Sequence, residues 1–274
     1  MAKVPETIFR GRRMRRHLKL ILLFIRATVQ IQLEYRSGVF GRTLANILST
    51  GTSVMLLWAM FQRVPSVGGW SFDQALVLVG IVTTIEFVVE IWFYPSLSKI
   101  TQYVQRGEFD VLLIKPVASQ FLVTFRYMQV MELTGLVIGL SVIATGMYRV
   151  GSITPLNVLL LLVFLVASIF IIYSLYLALS TLAFWFTKIE EVASMIWLHS
   201  TAGNYPITAF PPWARFLFTF VLPVAFVTNV PAEAATGRLS WEWGLGGLAF
   251  ATFALSGATW LWNLAIRNYS SASS

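Results

Sequence analysis

The chain of 274 residues contains no cysteine, only two histidines, and charged residues at just 12% of its positions. Without cysteine there is no disulfide framework and no thiol chemistry, and little more about compartment follows. The two histidines, His17 and His199, stand apart in sequence. His199 lies in an apolar segment and reads as a packed, hydrogen-bonded side chain rather than a ligand. A G-x-x-x-x-G-K-[ST] phosphate loop, an H-E-x-x-H zinc motif and a G-x-S-x-G nucleophile elbow are all missing. No enzyme constellation and no metal cluster is visible. What takes the place of charge is apolar bulk: 57% hydrophobic residues and a mean hydropathy of +0.74. That composition lies far outside the soluble globular range.

The apolar residues fall into runs long enough to cross a hydrocarbon core of roughly 30 Å as helices. Backbone groups in lipid must pair internally, so long uniform runs suit helices better than barrel strands. The expected fold is an all-α integral membrane protein. Its first span covers about Leu44–Gln62. The second, Gln74–Tyr94, follows Ser71-Phe72-Asp73-Gln74, a capping-box spacing. The third covers Tyr127–Tyr148. Thr154-Pro155 opens the fourth as cap and first-turn proline, and that helix continues to about Phe186. A second capping box, Thr187-Lys188-Ile189-Glu190, opens the fifth, which fades near Tyr205-Pro206. The sixth covers Trp243–Ile266. Aromatics near the ends (Trp58, Trp70, Trp92, Tyr94, Trp185, Trp241, Trp243) fit an interfacial belt.

Lysine and arginine set the orientation. Sixteen of the twenty fall on the side of the N-terminal segment, the loop between spans two and three, the connection after span four, and Arg267. Only Arg63, Arg149, Arg215 and Arg238 fall on the other side. The positive-inside rule therefore places both termini in the cytoplasm. The net charge of +8 has the same origin. Half the cations precede the first span, so they orient the chain and anchor it to anionic lipid; no nucleic-acid partner is expected.

Residues 1–14 form a basic tail. Between 15 and 42, the polar positions Arg15, Arg16, Lys19 and Arg26 recur at helical spacing among apolar residues, the pattern of an amphipathic helix lying on the membrane surface. A plain orientation signal is the alternative. The apolar stretch is too short for a signal peptide and has no small-residue cleavage site. Residues 43–267 form one transmembrane domain, and 268–274 a short cytoplasmic tail. Phe210 to Pro231 holds Pro211, Pro212, Pro223 and Pro231. Prolines break helices, so 207–232 is expected to be a re-entrant pair of short helices rather than a straight crossing.

Two regions carry candidate sites. The loop 95–121 has an amphipathic stretch up to Arg106, a turn at Gly107, and a second helical pattern ending at Lys115-Pro116. An apolar face with clustered charges of both signs suits docking to a soluble partner, although a solvated loop carrying topology charges has the same composition. On span two, Thr83, Glu86, Glu90 and Tyr94 share a face at i, i+4 spacing. Intramembrane carboxylates are costly and mark functional sites by default. They face a transport path or a subunit interface, or form a structural hydrogen-bonded pair. Glu132, early on span three, is expected at the interface.

The chain resembles the permease subunits of ABC-2-type ATP-binding-cassette transporters, the branch with paired permeases. The resemblance rests on Leu33-Glu34-Tyr35-Arg36, Gly68-Gly69-Trp70-Ser71, Arg106-Gly107-Glu108-Phe109-Asp110 and Lys115-Pro116-Val117. Asn204-Tyr205-Pro206, Pro211-x-Trp213 and Pro223-x-x-Phe226-Val227-x-x-Val230-Pro231-Ala232 extend it, so it runs from about His17 to Arg267. It implies an amphipathic connector helix, six spans and a re-entrant hairpin before the last. It also implies two permeases, identical or homologous, on two separate ATPase subunits in a bacterial inner membrane. ATP and Mg would sit on the ATPase, leaving this chain non-catalytic and without a cofactor of its own. The loop between spans two and three would be the coupling element, with Arg106, Gly107, Glu108, Asp110, Lys115 and Pro116 at the matching positions. An ion-coupled secondary transporter using Glu86 and Glu90, or a membrane-embedded lipid enzyme, are the alternatives; no internal repeat supports the first and no loop cluster the second. The apolar interior suits an amphiphilic, lipid-linked or hydrophobic substrate moved outward.

Overall fold

The computed structural model describes residues 20–26, 28–30, 36–186 and 202–269. About 81% of it is helical, and the described residues contain no strand. A short apolar helix, α1 (Leu20–Gln30), precedes the bundle. Then come α2 (Arg36–Phe61) and α3 (Phe72–Val88), which runs through a π turn (Val89–Phe93) into α4 (Tyr94–Leu97). The loop that follows carries α5 (Ile100–Gln105), α6 (Phe109–Leu113) and α7 (Ser119–Phe125). Next are α8 (Leu133–Val150) and α9 (Pro155–Thr181). Two short helices, α10 (Pro212–Phe216) and α11 (Val230–Ala235), lead to α12 (Trp241–Asn268). Five described helices are long and apolar enough to cross a membrane.

The caps fall where the side-chain chemistry puts them. The Ser71 hydroxyl accepts from the Gln74 amide at 3.4 Å, and the Gln74 side chain accepts from the Ser71 amide at 3.1 Å. Thr154 accepts from the Asn157 amide at 3.1 Å with Pro155 in the first turn. Each bond satisfies an amide that the helix leaves unpaired. The first span starts earlier than its apolar run, at Arg36, so residues 36–42 are its opening turns rather than part of a surface helix. The third starts later, because 126–129 is irregular and only Val130–Glu132 winds into the helix. The predicted fifth span and its capping box, Thr187 to Glu190, fall largely outside the described residues, as do His17 and His199.

Packing divides the helices into two groups around α3. Within its most apolar window α3 is 83% buried, against 17% for α2 and 22% for α12, so α3 is the central mast and the others face outward. On one side α8 crosses α3 very closely. A Cβ on Gly80 would lie 2.7 Å from the Ile143 amide nitrogen, and one on Gly139 would lie 2.8 Å from the Thr84 nitrogen. Only glycine allows backbones that near, the small-residue packing that replaces hydrophobic drive within lipid. On the other side α9 and α12 pair lengthwise, and α11 packs on α9. The proline-rich segment is bent: Pro212–Val221 and Ala225–Ala235 meet at 79° across Leu222–Val224. The buried Asn229 side chain accepts from the Ile207 amide at 2.8 Å, tying the turn's two ends together.

One end of the bundle is locked by three of the four arginines that the charge tally set apart. Arg149 pairs with Asp73 at 2.9 Å. Arg238 donates to the Gly69 carbonyl at 3.0 Å and to Gln74 at 2.8 Å. Arg215 donates to the Thr208 and Phe210 carbonyls, and Thr208 in turn donates to Gly68. Trp70, one of the aromatics near the helix ends, is 2% exposed, with the Arg238 guanidinium 5.1 Å from its ring centre. The guanidinium over the ring adds a cation–π attraction to the favourable burial of the indole.

Candidate functional site

The loop after α4 is a closed structure pinned at its neck. The Ser96 hydroxyl donates to the Tyr127 carbonyl at 2.9 Å and accepts from the Tyr127 amide at 2.8 Å. Nearby the Gln129 amide reaches the Ile91 carbonyl at 3.0 Å, and the Tyr103 and Tyr127 hydroxyls meet at 2.7 Å. Lys99 and Arg126 stack on these tyrosine rings, Lys99 Nζ at 3.6 Å from the Tyr127 centre. A neck so fixed holds the loop in one orientation relative to the bundle.

Beyond the neck, α5 ends at Gly107, whose φ of +69° makes the reversal into α6. An L side chain there would be strained. The α6 helix turns Phe109 and Leu112 inward, at 0% and 1% exposure. Its other face presents Val111 and Ile114, the latter 82% exposed. Around these apolar tips Arg106, Glu108, Lys115 and Pro116 are also exposed. Lys115 and Pro116 sit in a tight reversal closed by the Val117 amide on the Lys115 carbonyl at 2.7 Å. The six sequence-derived loop residues thus lie on one short hairpin of helices, with Asp110 half-buried and facing Tyr269 at the end of α12. Burial pushes the Tyr269 phenol above its ordinary value, and the Asp110 charge and hydrogen bond add to that. Sequence reasoning missed Val111 and Ile114. The signal was present as the alternation of inward 109 and 112 with outward 111 and 114.

The span-two stripe is enclosed within the bundle. Thr83 is 5% exposed, and Glu86, Glu90 and Tyr94 are half-buried. Glu86, Glu90 and Tyr94 all lie within electrostatic range of the Tyr176 hydroxyl on α9, which is itself buried. Glu90 is the second residue of the π turn and lies within electrostatic range of Arg42 and Glu132. Glu132, expected at the interface, is enclosed by protein. It is 1% exposed, bridged by Arg42 at 2.5 Å and hydrogen-bonded by Asn46 at 3.0 Å. Both partners come from the first span, which explains the burial: α2 supplies the cation and the amide that let a carboxylate remain inside. Of the surface-anchor residues, Arg26 is exposed, whereas Arg15, Arg16 and Lys19 fall outside the described residues. No group of three or more His, Asp or Glu able to hold a metal occurs among the described residues.

A family model described as ABC-2 family transporter protein matches residues 47–273, a stretch that takes in the pinned loop and the bent hairpin. The chain belongs to the ABC-2 transporter family. No curated protein matches it. As an ABC-2 chain it is a multi-pass membrane permease of an ABC transporter, a family that in general works with an ABC ATPase.

Proposed function

We propose that this permease is the membrane half of an ATP-driven exporter in a bacterial inner membrane, with both termini cytoplasmic. Two copies of a separate ATPase supply hydrolysis, binding ATP and Mg, and a second permease completes the pathway. The permease itself is non-catalytic. The observation that carries the reading is the tip of the 95–121 loop. Val111 and Ile114 are exposed beside Arg106, Glu108 and Lys115, an apolar anchor ringed by charges of both signs. Such a patch suits a groove on a soluble partner, the apolar residues giving affinity and the charges fixing register. ATP-driven closure of the ATPase pair would then move the loop and rock the attached helices. An amphiphilic, lipid-linked or hydrophobic substrate fits the apolar spans. Thr83, Glu86, Glu90 and Tyr94 are offered as pathway or interface residues, and Arg15, Arg16, Lys19 and Arg26 as membrane-surface anchors.

The test is purification of the tagged chain in mild detergent with identification of its companions by mass spectrometry. A phosphate-loop ATPase that is lost on Glu108→Ala with Asp110→Ala supports the reading. Absence of any ATPase, even after crosslinking, would sink it and bring forward Glu86 and Glu90 as ion-coupling groups.

A further inference from the structure

The 95–121 loop connects α4 to α7, yet its side chains hold it to a different part of the bundle. Phe109 is fully buried. Its ring lies 5.0 Å from Phe184 at the end of α9, 6.0 Å from Trp262 on α12 and 5.4 Å from Tyr269 just beyond α12. The interplanar angles are 84°, 72° and 74°, all edge-to-face. Phe184 meets Trp262 and Tyr269 in the same manner at 5.8 and 5.5 Å. Four rings therefore interlock, three of them from the α9–α12 side around the one loop residue. The descending limb makes a second attachment to the same helices. Gln120 donates to the Tyr173 hydroxyl at 3.1 Å and to Thr259 at 3.3 Å, and Thr124 meets Tyr173 at 3.1 Å. Tyr173 is on α9 and Thr259 on α12, which pack against each other along their length.

We propose that Phe109 is a positioning residue, the joint that carries movement of the coupling loop into the α9–α12 pair rather than into α2 and α8. The inference rests on the exporter reading above. Edge-to-face rings resist sliding because each edge sits in its neighbour's face, and a close-packed contact transmits displacement rather than absorbing it. The reversal at Gly107, two residues earlier, folds α6 back on α5, which itself packs against residues 182–184 and α9, so both short helices bear on this joint. Movement of α9 and α12 against α3 and α8 would change how the two helix groups pack on each other.

The absence of cysteine means that within this chain spin labels attach only where cysteine is introduced; the companion subunits are labelled alone as the background control. Labels at Leu133 and Asn268 report the separation of the two helix groups. Labels at Gln102 and Asn268 report the loop against α12. All three positions are exposed. Distances are measured by electron–electron double resonance on the full complex with its co-purified ATPase, before and after trapping with ATP and vanadate. The wild-type Leu133–Asn268 distance is expected to change on trapping. In Phe109→Ala and Phe109→Leu that change is lost, and the Gln102–Asn268 distribution broadens, while the ATPase still co-purifies and hydrolyses ATP. Phe184→Leu opens the same joint from the α9 side without touching the loop and gives the same loss; it decides the matter if the Phe109 variants do not assemble. A full wild-type change in Phe109→Leu or Phe184→Leu overturns the proposal, as does a wild-type complex whose Leu133–Asn268 distance ignores nucleotide. Failure to recover any ATPase defeats the exporter reading instead.

Discussion

Replacing Gly139 with alanine should weaken the protein, although alanine is the better helix former. A Cβ at that position would lie 2.6 Å from Thr84 Oγ1, 2.8 Å from the Thr84 nitrogen and 3.1 Å from its Cα. The last two are backbone atoms, so no rotamer change relieves them. The hydroxyl is also committed, donating to the Gly80 carbonyl at 2.7 Å. The only relief is for α3 and α8 to separate, which loosens Gly80 on Ile143, Gly135 on Phe87 and Gly146 on Val77 together. Helix propensity returns up to about 1 kcal/mol. Overpacking a fitted contact costs about 1–3 kcal/mol, and a backbone clash belongs in the upper part of that range. The net loss is therefore about 1–2 kcal/mol, which at 2–4 °C per kcal/mol is a fall in Tm of about 2–8 °C. The matched control is Gly257→Ala on α12, where nothing lies within 4 Å of the new methyl. It should leave Tm unchanged or raise it slightly. The assay is thermal unfolding of detergent-purified protein followed by tryptophan fluorescence. If Gly139→Ala melts with or above Gly257→Ala, the close-crossing argument is wrong.

Three further outcomes are expected. Arg42→Ala strands the buried Glu132 carboxylate, and losing one partner of such a pair costs about 3–5 kcal/mol. Because the Arg42 side chain is 54% exposed, the lower end applies; adding Glu132→Gln should recover most of the lost Tm, and a double variant no more stable than the single would refute the pairing. Gly107→Val forces a β-branched residue into φ +69°, at about 1–2 kcal/mol of local strain. It should reduce recovery of the ATPase in pull-downs while the melting of the spanning bundle hardly moves. Ile114→Asp removes an apolar tip worth about 1.5–3 kcal/mol when buried, so affinity for the ATPase should fall roughly 10–100-fold by titration, and unchanged affinity would exclude Ile114 from the contact.

The elements with strong local chemistry were legible before folding was considered. Ser71 with Gln74, and Thr154 with Pro155, announced their helices because a cap needs only residues three apart. Pro211, Pro212 and Pro223 announced a broken segment because each removes a donor or forces a dihedral locally. Gly107 announced the reversal between α5 and α6 for the same reason. The burial of Glu132 was not legible, because its partners, Arg42 and Asn46, lie 90 and 86 residues away and nothing in its own neighbourhood announces them. The burial of Trp70 was equally out of reach, since it depends on packing with distant parts of the chain, Arg238 among them.

The sequence alone determined that this is a membrane protein of several helices, where most of them begin, and which loop gathers charges of both signs around a glycine turn. Those properties depend on hydropathy, charge and turn propensity, which act over a few residues at a time. The tertiary structure decided that α3 is the mast, that Phe109 grips Phe184, Trp262 and Tyr269, and that Glu90 stands between Tyr176 and the Arg42–Glu132 pair. These depend on which helix faces touch. In an apolar environment nearly every face of α9 is hydrophobic, so periodicity has no preferred side to report, and only the fit of small residues such as Gly80 and Gly139 chooses the neighbours.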